Sequence, residues 1–147
     1  KFVNTSDEWV TKRSGIKYRH FVSKNETTSD MAVNAALNAM KNAYIKKDVI
    51  DLIIVATTTP DNTFPATATL VQKKLGINAV SFDVQAVCAG FVFALSVAKS
   101  MMKDNYYSNC LVIGADSMSK LLNWNDRTTA VLFGDGAGAV VLQKHNK

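Results

Sequence analysis

Cys88 stands where a β-rich run, Phe82-Asp-Val-Gln-Ala-Val87, gives way to an apolar segment, Ala89-Gly-Phe-Val-Phe-Ala-Leu95. A cysteine placed between a buried strand and the first turn of a helix is a nucleophile on an elbow. Unpaired N–H groups and the positive end of the helix dipole favour thiolate over thiol, below the free value of about 8.5. The same N–H groups are suited to an oxyanion, Ala86, Ala89 and Gly90 are small enough to admit a carbonyl, and Phe91 and Phe93 supply an apolar wall. The chemistry that fits is nucleophilic attack on a substrate carbonyl. A free cysteine among apolar residues is also an ordinary small core hydrophobe, and residue types alone leave both readings open. Cys110, flanked by Leu111, Val112 and Ile113, is assigned to the core.

Three arginines, Arg13, Arg19 and Arg127, stand among 17 cations, and arginine forks onto phosphates and stacks on planar rings where lysine does not. Trp9 and Arg13, four residues apart, share one helix face. Gly134-Asp-Gly-Ala-Gly138 invites a phosphate-loop reading, but no Lys-Ser/Thr or helix follows, so a tightly packed strand turn is expected. With two cysteines and two histidines, His20 and His145, no metal-ligand spacing exists and a disulfide framework is excluded. The net charge, 17 minus 12 or +5, mildly favours anionic partners. The basic residues are dispersed without interleaved aromatics, so no nucleic-acid partner is expected. No apolar run approaches the roughly 20 residues of a membrane span, and 1–8 lacks the core of a secretory signal; no membrane is expected and a cytoplasmic location is.

The elements that must position these groups follow from capping signals and periodicity. Thr5-Ser-Asp-Glu8 predicts a capping box opening a helix that carries Trp9 and Arg13 and stops at Gly15. Extended chain is expected over 16–22. Ser29 is the expected cap of a helix to about Ala43, with Val33, Ala36, Leu37 and Met40 facing the core. The run 52–57 reads as a strand buried on both faces, and a loop bracketed by Pro60 and Pro65 leads to a helix over 66–75 stopped by Gly76. A strand over 79–84, a helix from near Cys88 to Met102, and a buried strand over 109–115 come next. Two further strands, 128–133 and 137–142, are expected to form a hairpin across Gly134-Asp-Gly136. The alternation implies α/β layering in one domain over 1–147. Both flanks read as though cut away.

Several phrases now coincide: Thr5-Ser-Asp-Glu-Trp9, Arg13-Ser-Gly-Ile16, Arg19-His20, Val55-Ala-Thr-Thr58, Phe64-Pro65, Phe82-Asp-Val84, Cys88-Ala-Gly90, Asp126-Arg127 and Gly134-Asp-Gly-Ala-Gly138. Together, and in order along the chain, they resemble β-ketoacyl-acyl carrier protein synthase III, the initiating condensing enzyme of bacterial fatty-acid synthesis. The resemblance implies a thiolase-like α/β fold, of which this chain is the N-terminal half of a two-half architecture, with helices layered on a mixed sheet. It makes Cys88 the acyl-accepting nucleophile and backbone oxyanion donor.

The resemblance further implies that Trp9 and Arg127 flank the adenine of coenzyme A, with Thr5 nearby and Arg13 near its phosphate or pantetheine entrance. Phe64 matches a residue that closes the acyl pocket of a dimer partner. No cofactor is implied, coenzyme A thioester being a substrate. The implied partners are an acyl-coenzyme A primer, acetyl-coenzyme A being the expected one, malonyl-acyl carrier protein, and a second copy in a homodimer. The resemblance puts the family's catalytic histidine and asparagine in the other half, and neither His20 nor His145 matches that histidine, so this chain alone is expected to accept an acyl group without condensing it. Gln85 and Val87 depart from the small residues expected beside the cysteine. The rival readings are a polyketide-priming or hydroxymethylglutaryl-type condensing enzyme, and a noncatalytic coenzyme A or acyl-binding half-protein.

Overall fold

In a computed structural model, which describes residues 3–144, four strands form one mixed sheet in the order β2-β1-β3-β4. Strands β1 (Leu52–Ala56), β2 (Val80–Val84) and β3 (Asn109–Ser117) are parallel, while β4 (Asp135–Gln143) runs antiparallel beside β3. Side chains alternate across a strand, so a central strand covered on both sides must be apolar at every position. All five residues of β1 are buried accordingly. Ile53, Val55, Leu111 and Ile113 point to one face, where Ala32, Ala36 and Met40 of α2 (Thr28–Asn42) and Ala68 and Val71 of α3 (Thr67–Leu75) cover them. Leu52, Ile54, Cys110 and Val112 point to the other, against Ala94 and Ala98 of α4 (Gly90–Met101).

The caps differ from expectation at two helix starts. In α1 (Asp7–Ser14) the cap is Ser6, whose hydroxyl accepts the Trp9 N–H at 3.2 Å, and the Thr5/Glu8 box does not form. In α2 the cap is Thr27, paired reciprocally with Asp30, and Ser29 lies buried in the first turn. A box needs its acid three residues beyond the cap, and shifting the cap from Ser29 to Thr27 is what brings Asp30 to that place. The core stripe of α2 runs through Ala32 rather than Leu37, which is exposed. At α3, which has no side-chain cap of its own, the Asp83 carboxylate of β2 accepts the Thr67 and Ala68 N–H groups, each at 2.7 Å. Two orphan donors are thereby satisfied across the tertiary structure.

The expected strand at 128–133 is a helical turn, α5 (Arg127–Ala130), capped by Asp126. The Asp126 carboxylate accepts the Thr128 N–H at 2.9 Å and the Thr129 hydroxyl at 2.8 Å, and these bonds, that of the Thr128 hydroxyl foremost, hold its pKa below the usual value. An Asp-x-Thr-Thr cap overrides the β preference of the threonines. β4 therefore has no hairpin partner at 128–133 and pairs with β3.

Candidate active site

The chain leaving β2 does not enter an α-helix at Cys88. It makes a three-residue 3-10 turn, Val87–Ala89, and α4 begins only at Gly90. Val87 holds φ at +47°, in the left-handed region that a β-branched residue rarely adopts. This turn projects Cys88 to the surface, where its thiol is exposed and free of any disulfide. The first amide bonded within the turn is that of Ala89, on the Ala86 carbonyl at 3.0 Å. Gly90 then lets α4 settle on β1, since a Cβ there would stand 3.3 Å from the Ala56 Cβ.

A cleft of about 540 Å³ opens in front of Cys88. Its lining comes from the ends of β1 and β3, with Thr58 and Asp116, and from Gly134 to Gly138 at the start of β4. The glycine segment behaves in two ways. Gly134 is tightly packed, as expected, because an added Cβ would lie 3.2 Å from the Arg19 side chain, whereas Gly136 and Gly138 have nothing within 4 Å of that position. Asp135 ties the segment down: its carboxylate accepts the Ser119 N–H at 2.7 Å, the Val22 N–H at 2.8 Å and the Ser119 hydroxyl, and its own N–H donates to the His20 carbonyl at 2.7 Å. His20 serves there through its backbone, and it is not among the residues lining the cleft. His145 lies outside the described residues.

Cys110 is fully buried in β3, and burial, with Asp51 a lesser contributor, pushes its thiol up to about 12. The two cysteines thus occupy opposite environments. Asp116 was not anticipated from the sequence. Its Oδ1 accepts the Thr58 N–H at 2.7 Å, the Thr59 hydroxyl at 3.1 Å and the Thr57 hydroxyl at 3.3 Å. The available signal was positional: an acid at the carboxyl end of a buried parallel strand stands where open α/β sheets place their sites.

Trp9, Arg13 and Arg127 form a second cluster. The Arg13 guanidinium carbon lies 4.1 Å from the Trp9 ring centre and that of Arg127 lies 5.2 Å from it, both within cation–π range. The fold thus brings together Trp9 and Arg127, 118 positions apart by subtraction of their numbers. Thr5 Oγ1 is buried without a hydrogen-bond partner. Phe64 is 83% exposed on the loop between β1 and α3, so within one chain it has little to pack against. Among the described residues no group of histidine, cysteine and acidic side chains is suited to a metal ion, and no helix is long and apolar enough to cross a membrane.

The sequence model of the 3-oxoacyl-[acyl-carrier-protein (ACP)] synthase III family matches residues 82–147. A β-ketoacyl-[acyl-carrier-protein] synthase III of Paramagnetospirillum magneticum is 60% identical over 142 residues, 96% of this chain and 44% of that protein. The crystal structure of 3-oxoacyl-[acyl-carrier-protein] synthase III from Aquifex aeolicus superposes with a TM-score of 0.90 at 48% identity, covering 99% of this chain and 47% of that one. A priming β-ketosynthase from the R1128 polyketide pathway superposes equally well, TM-score 0.90, at 32% identity, covering 98% of this chain and 43% of that one. The chain spans a little under half the length of the relatives it matches. Its α/β architecture is that of the thiolase-like fold.

Proposed function

Since this chain belongs to the β-ketoacyl-[acyl-carrier-protein] synthase III family, we propose that it carries the acyl-accepting half of that enzyme's site, with Cys88 as the nucleophile. The observation that carries the reading is an exposed thiol on a strained turn facing a cleft of about 540 Å³. The Cys88 thiolate attacks the carbonyl of an acyl-coenzyme A thioester, and the oxyanion of the tetrahedral adduct is held by the N–H of Cys88 itself. The adduct collapses with departure of the coenzyme A thiolate, which takes a proton from solvent, leaving acyl-Cys88. Condensation belongs to the whole enzyme, with donors this chain does not supply: malonyl-acyl carrier protein loses carbon dioxide, and its α-carbon forms the new bond to the acyl carbonyl as Cys88 Sγ departs. The product is a β-ketoacyl carrier protein.

In this reading Trp9, Arg13 and Arg127 hold the coenzyme A nucleotide end, Thr5 lies beside them, and Phe64 reaches a second copy of the enzyme to close its acyl pocket. The exposed faces of Phe64 and of Val92 and Phe93 on α4 are consistent with a homodimer and with a second half packed on this one. The reading places the reaction in the cytoplasm and needs no cofactor. The synthase III reading is favoured over the polyketide-priming one because relatives at 58% to 62% identity carry the synthase III name.

The test is mass mapping of the protein that carries this chain after brief exposure to acetyl-coenzyme A. One acetyl group on the Cys88 peptide, abolished in Cys88→Ser, is the expected result. An unmodified Cys88, or acetylation elsewhere, would remove the assignment.

A further inference from the structure

The loop that follows β1 forms one side of the Cys88 cleft through Thr58 and goes on to carry Phe64, yet its first three residues have no place in any helix or strand. A single carboxylate oxygen bonds to all three of them. Asp116 Oδ1 gathers the Thr58 N–H and the hydroxyls of Thr57 and Thr59 from three successive residues, which folds that chain across the end of β3. Behind this contact lies a buried hydroxyl lattice. The Thr28 hydroxyl donates to the Thr59 carbonyl at 2.7 Å and meets the Ser117 hydroxyl at 2.8 Å, and the Ser117 N–H donates to the Thr59 hydroxyl at 2.7 Å. Thr28, Thr59 and Ser117 are all buried, so a group left without its partner here carries a desolvation cost.

Thr59 is thus held from two sides, whereas the Thr58 amide donates to Asp116. Asp116 itself lines the cleft. The Thr57 N–H also donates to the Val84 carbonyl at 3.2 Å, so removing the carboxylate would free Thr58, between that anchor and the rear contacts of Thr59, to shift toward or away from Cys88. We infer that Asp116 is a positioning residue that sets the width of the Cys88 cleft, and so the size of group that reaches the thiol, by clamping Thr58 on its wall. The inference rests on the acyl-transfer reading for its biological meaning: the group admitted would be the acyl primer. Its physical content, a cleft width set by Asp116, stands apart from that reading.

The experiment therefore uses a probe that needs no enzymatic activity. Cys88 alkylation rates by N-methylmaleimide and by the bulkier N-benzylmaleimide are compared by mass mapping in the protein that carries this chain, with circular dichroism and melting curves verifying the fold. Asp116→Ala is expected to change the ratio of the two rates by at least about fivefold, because an unpaired Thr58 N–H must find a new acceptor by moving. Asp116→Asn, isosteric but without the charge that strengthens the three bonds, is expected to change it in the same direction by at least about twofold. Where Asp116→Ala does not fold, the asparagine variant decides. A merely structural role would lower the melting temperature without altering the ratio, so an unchanged ratio in a folded variant overturns the inference. Acetyl-coenzyme A is the parallel arm: failure to acylate wild-type Cys88 removes the acyl-transfer reading and leaves the maleimide ratio to decide the role of Asp116.

Discussion

The Arg127 guanidinium carbon rests 5.2 Å from the centre of the Trp9 ring, joining the capped turn after residue 126 to the first helix. Inserting a planar base between them requires two stacking gaps of about 3.5 Å each, or roughly 7 Å in all. On the proposed coenzyme A reading Arg127 and the Trp9 ring must therefore separate for an adenine to lie between them, while Arg13, at 4.1 Å, already contacts the same indole. Arg127→Ala is expected to weaken coenzyme A binding by about 1 to 2 kcal/mol, roughly a five- to thirtyfold rise in Kd. Tryptophan quenching measures it in a Trp124→Phe background, and an unaltered Kd would take Arg127 out of the site.

Cys88 and Cys110 should differ sharply toward iodoacetamide. Cys110 is buried with its thiol pushed up to about 12, so at pH 8 its thiolate fraction is on the order of one in ten thousand. Short exposure of folded protein is expected to label Cys88 alone, whereas unfolded protein should label both. Comparable labelling of the two in the folded state would contradict the burial of β3.

The Lys74 ammonium and the Thr27 hydroxyl hold the Asp30 carboxyl down at about 2. A carboxylate depressed in the fold contributes stability above its unfolded value, near 3.8, and that contribution disappears as pH falls through about 2. The stability gap between wild type and Asp30→Asn should be constant near neutrality, narrow below pH 3.8 and close near pH 2. The side chains of Lys74 and Asp30 are 37% and 42% exposed, so screening keeps the ion pair itself below about 1 kcal/mol. Urea titrations at several pH values would reveal a gap that persists at the acid end, contrary to this expectation.

Val87→Gly tests the strained turn. At φ +47° a valine carries a backbone cost of about 1 to 3 kcal/mol, and glycine's greater unfolded-state freedom offsets about 0.5 to 1 of that relief. A gain in stability of up to about 2 kcal/mol is expected, accompanied by slower acylation of Cys88 as the elbow loosens. A stability loss would show that the exposed valine side chain, rather than its backbone, matters most.

The sequence by itself determined the order and type of most elements, because their signals are local. The five-residue apolar run of β1, the Gly76 stop of α3 and the Gly15 stop of α1 each record a constraint met within a few residues. Cys88 was legible for the same reason, standing at the change from strand pattern to helix pattern. Local signals misplaced what depends on competition between neighbours. Thr27 caps α2 in place of Ser29 because Asp30 then completes a box, and Asp126 turns a β-prone threonine pair into helix. Only the tertiary structure decided that β4 lies antiparallel on β3, bringing Gly134 to Gly138 in front of Cys88. The same is true of the Asp83 cap on α3 and of the Asp116 clamp on Thr57 to Thr59, both made between residues distant in sequence. A carboxylate's partner is set by where the chain returns in space, and residue periodicity carries no information about that return.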